Sequence, residues 1–93
     1  MSNVQVNLDF DALKALGTNI STKAGEFKTI LDNINKVNGD LNQYWQGADA
    51  ENYKTTVEKY AAEMQTLQEV IAGCGERILS IHKAYKDMMD SHI

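Results

Sequence analysis

The amino-acid sequence predicts an all-α fold: a hairpin of two long antiparallel helices that pairs with a second chain into a four-helix bundle. The 93 residues include no proline, where an average usage of about 5% would give four or five. Because proline breaks helix interiors, its absence permits long uninterrupted helices. Apolar residues also recur at alternating steps of three and four in both halves of the chain, which is the spacing of packed helices.

The first helix is predicted over residues 9–41. Asn7 or Asp9 is expected to cap its start, and residues 4–8 before it alternate like an extended arm. A row beside the main apolar stripe widens it at Leu16, Ile30, Val37 and Tyr44, and Lys23 interrupts that row. The stripe itself keeps one seven-residue repeat, with members Phe10, Leu13, Gly17, Ile20, Ala24, Phe27, Leu31, Ile34, Asn38, Leu41 and Trp45.

A turn at residues 42–47 joins this helix to a second one, predicted over residues 48–90. Gly47 supplies the backbone freedom that a sharp reversal needs. Asp49 and Glu51 place negative charge in the first turn of the second helix, where the helix dipole favours it. Its stripe keeps the seven-residue repeat with fewer interruptions: Ala50, Tyr53, Val57, Tyr60, Met64, Leu67, Ile71, Cys74, Ile78, Ile81, Tyr85, Met88 and His92.

Three glycines are expected at one level of the hairpin. If the turn is centred near Trp45, the numbers of facing residues add up to about 90, so Gly17 lies level with Gly73 and Gly75. A glycine inside a helix costs about 0.5–1 kcal/mol relative to alanine. The cluster therefore indicates either close contact between the helices or a second helix that is merely loosened there.

The two stripes are too wide for a hairpin to bury alone. Each covers more than a third of its helix circumference, and one facing helix cannot cover that width. The rest would be a contiguous apolar patch of a kind that monomers rarely expose. A chain this short also buries a small share of its surface. Pairing of two hairpins into a four-helix bundle is the economical solution.

Composition excludes several classes of function. The net charge of −4, from 13 acidic and 9 basic residues, argues against nucleic acids and anionic membranes, which attract basic patches. His82 and His92 do not have metal-ligand spacing, so no metal, cofactor or small-molecule ligand is expected. No nucleophile with a nearby base and no glycine-rich phosphate loop is present, so the chain is not expected to be an enzyme. Cys74 is expected to be a small buried hydrophobe, with an intermolecular disulfide as the alternative.

The turn carries a family resemblance. Trp45 and Gly47 frame a Trp-x-Gly motif at the midpoint of a chain of about a hundred residues, between two proline-free heptad helices. This combination resembles the WXG100 family, the ESAT-6-like small proteins of type VII secretion, over essentially the whole chain. The resemblance implies a helical hairpin that dimerises head to tail. It also implies a non-enzymatic protein that a membrane ATPase exports as a folded dimer from a cytoplasmic pool.

That export needs no signal peptide, and none is evident in residues 1–14. The resemblance further implies that the turn, with Tyr44, Trp45 and Gly47, docks on the secretion machine together with a C-terminal signal. The signal's usual form is Tyr, three residues, then Asp or Glu. Here Met89 stands four positions after Tyr85, and the signal-like segment offers Asp87 and Asp90 instead.

Three functions follow as hypotheses. The first is a secreted effector or co-secreted partner that leaves the cell as a homodimer or as a heterodimer with a paralogue. The second is a cytosolic adaptor that pairs with the helical N-terminus of a larger type VII toxin and guides it to the machine. The third is a structural coiled-coil module unrelated to secretion. Under the first two, the stripe residues from Phe10 to Tyr85 form the core and the dimer interface.

Overall fold

A computed structural model describes residues 9–91 of the chain. It consists of two α-helices, α1 (Phe10–Gly39) and α2 (Ala48–Asp90), joined through a 3-10 turn at Leu41–Gln43. The helices lie antiparallel in a rod with extents of 70 × 23 × 17 Å. The predicted all-α hairpin is confirmed, whereas the arm at residues 4–8, Asn7 and His92 lie outside the described residues.

The start of α1 matches its predicted cap. Asp9 has an extended backbone, and its Oδ1 accepts a hydrogen bond from the backbone N–H of Ala12 at 3.0 Å. An aspartate here satisfies one of the N–H groups that a helix start leaves unpaired. Asp11 follows in the first turn, where its charge opposes the positive end of the helix dipole.

The end of α1 differs from the prediction. The helix stops at Gly39, two residues before the predicted end at residue 41. The N–H of Asp40 is shared between the carbonyls of Lys36 and Val37 at 3.1 and 3.2 Å, and tighter 3-10 bonding follows at once. Such tightening is a common way to satisfy the last carbonyls of a helix. The second helix begins and ends where the sequence predicts.

Gly47 is the N-cap of α2, and its backbone conformation is open only to glycine. Its φ is +115° and its ψ is 178°, in a region where any Cβ is strained. No neighbouring atom lies within 4 Å of a Cβ placed there, so the constraint comes from the backbone and not from crowding. The carbonyl of Gly47 then accepts the N–H of Glu51 at 3.1 Å and starts the helix.

The seam between the helices is built from small and polar residues. The buried positions of α1 recur every seven residues: Gly17, Ala24, Leu31 and Asn38. Those of α2 are Ala50, Ala61, Gln68 and Gly75. Among the described residues, Leu31 is the largest side chain that is fully buried. The hairpin is therefore closed mainly by backbone proximity and not by interlocking large side chains.

Gly17 and Gly75 make the closest approach. A Cβ on Gly75 would lie 2.9 Å from the backbone nitrogen of Ser21 and 3.1 Å from the carbonyl oxygen of Gly17. A Cβ on Gly73 would meet nothing within 4 Å. Of the two readings of the glycine cluster, close contact is thus correct for Gly17 and Gly75, and Gly73 takes no part in it.

Two buried amides fix the register of the helices. Gln68 Nε2 donates to the carbonyl of Ala24 at 3.2 Å, and Asn38 Nδ2 donates to the carbonyl of Lys54 at 3.0 Å. The residue numbers in each pair add up to 92, close to the predicted 90. At the open end Phe10 and His82, which obey the same rule, stack edge to face with ring centroids 5.9 Å apart.

Candidate functional site: an apolar face and the tip of the hairpin

The large apolar side chains lie beside the seam, on one face of the hairpin. On α1 this apolar face consists of Leu16, Ile20, Phe27, Ile30, Ile34 and Val37, continued by Leu41 in the turn. On α2 it consists of Tyr53, Val57, Tyr60, Met64, Leu67, Ile71, Cys74, Ile78, Ile81, Tyr85 and Met88. These positions step by three and four along α2, and they do so along α1 except that Lys23 stands at the position between Ile20 and Phe27. This is the spacing with which a helix meets a second partner.

Much of this apolar face is open to solvent. Val37 is 69% exposed, Tyr60 59% and Ile30 56%. Val57, Met64, Ile71 and Ile78 form the inner row and are half-buried against α1. The opposite side of the seam is more polar, since a shallow depression there is lined by Asn35, Glu58, Gln65 and two alanines. The hairpin therefore presents one apolar side and one polar side.

An open groove of about 490 Å³ shows that both helices contribute to the same face. Ile30, Ile34, Val37 and Leu41 line it from the first half of the chain, and Tyr53 and Val57 line it from α2. Its walls are almost entirely apolar, apart from Asn33 and Asn38. Apolar side chains of a partner helix would fill such a groove.

The predicted stripe of the first helix divides into two rows with different surroundings. Leu31 is buried in the seam, whereas Ile20, Phe27 and Ile34 are half-buried at its edge. Phe10 and Leu13 are half-buried near the open end. The sequence alone does not separate the row in the seam from the row at its edge. The two rows lie only about 40–60° apart around the helix, so both follow the same seven-residue repeat.

Cys74 is exposed, which corrects the expectation of a buried small hydrophobe. It stands in the outer row of α2 with Tyr53, Tyr60 and Leu67, which are also exposed. The seam of the hairpin is formed one row away, at Ala61, Gln68 and Gly75. The thiol of Cys74 therefore belongs to the apolar face and not to the core of the single hairpin.

At the tip, Trp45 contacts an aromatic ring of the second helix and not that of its neighbour in sequence. Trp45 packs against Tyr53 with ring centroids 5.8 Å apart and an interplanar angle of 52°. Tyr44, its neighbour in sequence, is 85% exposed. Trp45 thus closes the end of the apolar face while 42% of it remains exposed, and Tyr44 projects into solvent.

Asn42 organises the turn and is a residue that the sequence does not single out. Its Nδ2 donates to the carbonyl of Trp45 at 3.2 Å and to Glu51 Oε1 at 2.9 Å, and its Oδ1 accepts from Lys54 Nζ at 3.1 Å. Gln46 Nε2 donates to the backbone carbonyl of Asn42 at 3.3 Å. Asn42 therefore links the backbone of Trp45 to the first turns of α2 and holds Trp45 in place.

The C-terminal segment is helical to Asp90. Asp87 accepts a hydrogen bond from Lys83 Nζ at 2.8 Å, and this bond and the negative charge of Asp87 raise the pKa of Lys83 above its usual value. Tyr85 lies on the apolar face, beside Met88. At 1.5 Å per residue, the forty residues between Trp45 and Tyr85 separate them by roughly 60 Å. One chain therefore does not bring the tip and the signal-like segment together.

Two absences hold for residues 9–91. That part of the chain contains no group of three His, Cys, Asp or Glu residues placed to hold a metal ion. Neither of its helices is apolar enough over a sufficient length to cross a membrane.

Comparison with known proteins supports the family resemblance. The family model described as proteins of 100 residues with WXG matches residues 5–88, nearly the whole chain. Neither a curated protein nor a solved structure matches the chain. Proteins of the matched family are small, non-enzymatic helical hairpins associated with type VII secretion. The match covers α1, the turn with Trp45 and Gly47, and α2 as far as Met88, and so the chain belongs to the WXG100 family.

Proposed function

We propose that the chain works in type VII secretion as one half of a folded four-helix bundle, whose apolar face packs against a second helical hairpin. The main support for the proposal is that the large apolar side chains point to one face of the hairpin. They lie beside a seam of small residues and remain open to solvent in the hairpin alone. A second pair of helices would cover them and complete the core.

Burial of the apolar face supplies favourable energy for a complex. Burying the exposed half of a large apolar side chain stabilises by about 1 kcal/mol, half the value for a whole one. Both hairpins contribute such side chains, and their burial is set against the roughly 4–15 kcal/mol that association costs in lost freedom. A charge or an unpaired polar group placed within the apolar face therefore weakens the pairing.

The tip is the second element of the proposal. Tyr44 and Trp45 supply the exposed aromatic surface that would dock on the membrane ATPase of the secretion machine, and aromatic side chains are frequent binding hot spots. Gly47 acts indirectly, because its backbone conformation sets the turn that presents them. We further propose that the folded complex is exported without a cleaved signal, as effector or as co-secreted partner.

An adaptor role is the second candidate, and the C-terminal segment favours it. Met89 occupies the position where the family's signal has an acid. The neighbouring Asp87 is bonded to Lys83 on its own helix. A larger toxin paired with the apolar face through its helical N-terminus would then supply the export signal for both chains.

An export assay with matched variants tests the proposal. Leu67→Asp places a carboxylate in the exposed outer row of the apolar face, and Ala62→Asp places the same charge on the polar side. We expect Leu67→Asp to abolish export of a helical chain and Ala62→Asp to be exported as wild type is. Normal export of Leu67→Asp, or export that continues without the secretion ATPase, would refute the proposal.

A further inference from the structure

The apolar face has one charged position, Lys23. It occupies the place between Ile20 and Phe27 where the series of steps of three and four calls for an apolar residue. Its side chain is 66% exposed. None of the other residues that define the apolar face is acidic, so the face itself holds no carboxylate to match this ammonium group.

Lys23 lies near the middle of the apolar face. Contacting residues of the two helices have numbers that add up to 92, so Lys23 is level with residue 69 of α2, halfway along the apolar row from Tyr53 to Met88. The acid at that level, Glu69, accepts a hydrogen bond from Gln65, which borders the polar side. It therefore does not lie on the apolar face with Lys23.

Lys23 forms an ion pair with Glu26, but this pair is exposed to solvent. Glu26 Oε2 lies 3.4 Å from Lys23 Nζ, and the carboxylate side chain is 58% exposed. An exposed pair of this kind contributes about 0–1 kcal/mol. This pairing does not offset the cost of placing the ammonium group of Lys23 inside a helical interface.

A second copy of this chain does not match Lys23 in either two-fold arrangement. In an antiparallel pair the middle of α1 meets the middle of α1, and two ammonium groups about 6 Å apart repel by about 3 kcal/mol at an effective dielectric constant of 20. In a parallel pair Lys23 meets the row of Leu67 and Ile71, which holds no acid to add to the exposed bond with Glu26, and a charge buried without a matching partner costs several kcal/mol. Either cost weakens self-pairing.

We propose that Lys23 disfavours self-pairing and that the partner is a different helical chain with a carboxylate in its apolar stripe, level with Lys23. This rests on the proposed pairing function and adds the partner's chemistry to it. A single lysine among apolar heptad positions is a recognised device for specifying partner and register at a cost in stability. It acts by penalising the wrong pairing and by requiring an acid in the right one.

Sedimentation of the full chain at micromolar concentration tests the first half of the proposal. We expect wild type to self-associate weakly and Lys23→Leu to dimerise about tenfold more tightly or better. Lys28→Leu is the matched control, since Lys28 pairs with Asp32 on the same helix at 3.4 Å and lies off the apolar face. It should leave self-association unchanged.

Acidic probes test the second half. Mixed with wild type, Lys23→Glu supplies a carboxylate for antiparallel pairing and Ile71→Glu supplies one for parallel pairing, with Lys28→Glu as control. One of the two probes should bind wild type about tenfold more tightly than wild type binds itself.

Three results would overturn the proposal. A tight wild-type dimer that Lys23→Leu leaves unchanged or weakens would make a second copy the partner and would refute this inference alone. Two probes that bind no better than the control would refute the acidic match. If neither wild type nor Lys23→Leu associates and no probe binds, Lys23 is not what prevents self-pairing and the inference fails, whereas the proposed function is tested separately by the export of Leu67→Asp.

Discussion

The side-chain amide of Gln68 donates a hydrogen bond to the backbone carbonyl of Ala24 at 3.2 Å, buried between the two helices. Asn38 makes the equivalent bond to Lys54 two heptads along α1. In each bond a side-chain amide donates to a backbone carbonyl of the opposite helix. Each bond therefore fixes which residue of one helix lies level with which residue of the other. Together they hold the α1 and α2 parts of the apolar face side by side, and the groove near the tip depends on this alignment.

Gln68→Ala should lower the free energy of unfolding by about 1–2 kcal/mol. The change removes a buried hydrogen bond, which contributes about 1 kcal/mol, and leaves a gap in the seam. Gln65→Ala is the matched control, because Gln65 bonds an exposed acid one turn away on the same helix. Urea denaturation followed by circular dichroism measures both, and equal losses in the two variants would contradict the role of Gln68.

Gly75→Ala should destabilise the hairpin by about 1–3 kcal/mol, the usual cost of overpacking. The new methyl group would lie 2.9 Å from the backbone nitrogen of Ser21, and backbone cannot move aside as a flexible side chain can. Gly73→Ala, two residues away and in open space, should instead stabilise α2 by about 0.5–1 kcal/mol. Thermal unfolding measures the stability of both variants. A change of stability in the same direction for Gly75→Ala and Gly73→Ala would contradict the close approach of the two helices at Gly75.

Gly47→Ala should cost about 1–3 kcal/mol because φ at this position is +115°, a conformation that residues with a side chain rarely adopt. Gly39→Ala serves as the control: Gly39 lies at the end of α1, has no positive φ and has open space around it. Denaturation midpoints of the two variants compare them directly. A Gly47→Ala hairpin as stable as the control would show that the motif's glycine is not required by the backbone.

Tyr44→Ala should leave stability unchanged, since the side chain is 85% exposed, yet reduce export if the tip docks on the secretion machine. Trp45→Ala also removes the contact with Tyr53 and should cost stability while sparing most of the helix content. Circular dichroism and the amount of chain in the medium separate the two effects. If the folded Tyr44→Ala chain is exported normally, Tyr44 is not part of the docking surface. If Trp45→Ala unfolds, the role of Trp45 is structural.

The hairpin could be predicted from the sequence because its signals are local. Heptad spacing, the Asp9 cap and the Trp45–Gly47 motif each act within a few residues. The division of the apolar stripe was not predictable from periodicity, because Leu31 in the seam and Ile34 at its edge follow the same repeat. Only the packing of α2 decides which of the two is fully buried and which is half-buried.

The polar residues that fix the site could not be identified from the sequence. Asn38 occupies an apolar stripe position as an apparent interruption, and Gln68 lies outside the predicted stripe. Asn42 gains its partners only when the turn brings Glu51 and Lys54 within 2.9 and 3.1 Å of its amide. Each of these roles depends on contacts with residues nine or more positions away, which a local pattern does not encode.

Reactivity of Cys74 in the producing cells tests most directly whether a partner covers the apolar face. This is the one cysteine of the chain, and it is exposed in the outer row of α2. A membrane-permeable thiol reagent therefore reports on that surface without an engineered cysteine. If the face is paired, Cys74 of wild type should be protected in cells, while Cys74 of Leu67→Asp should react at the rate of the isolated hairpin. Equal, rapid labelling of both chains would contradict the account.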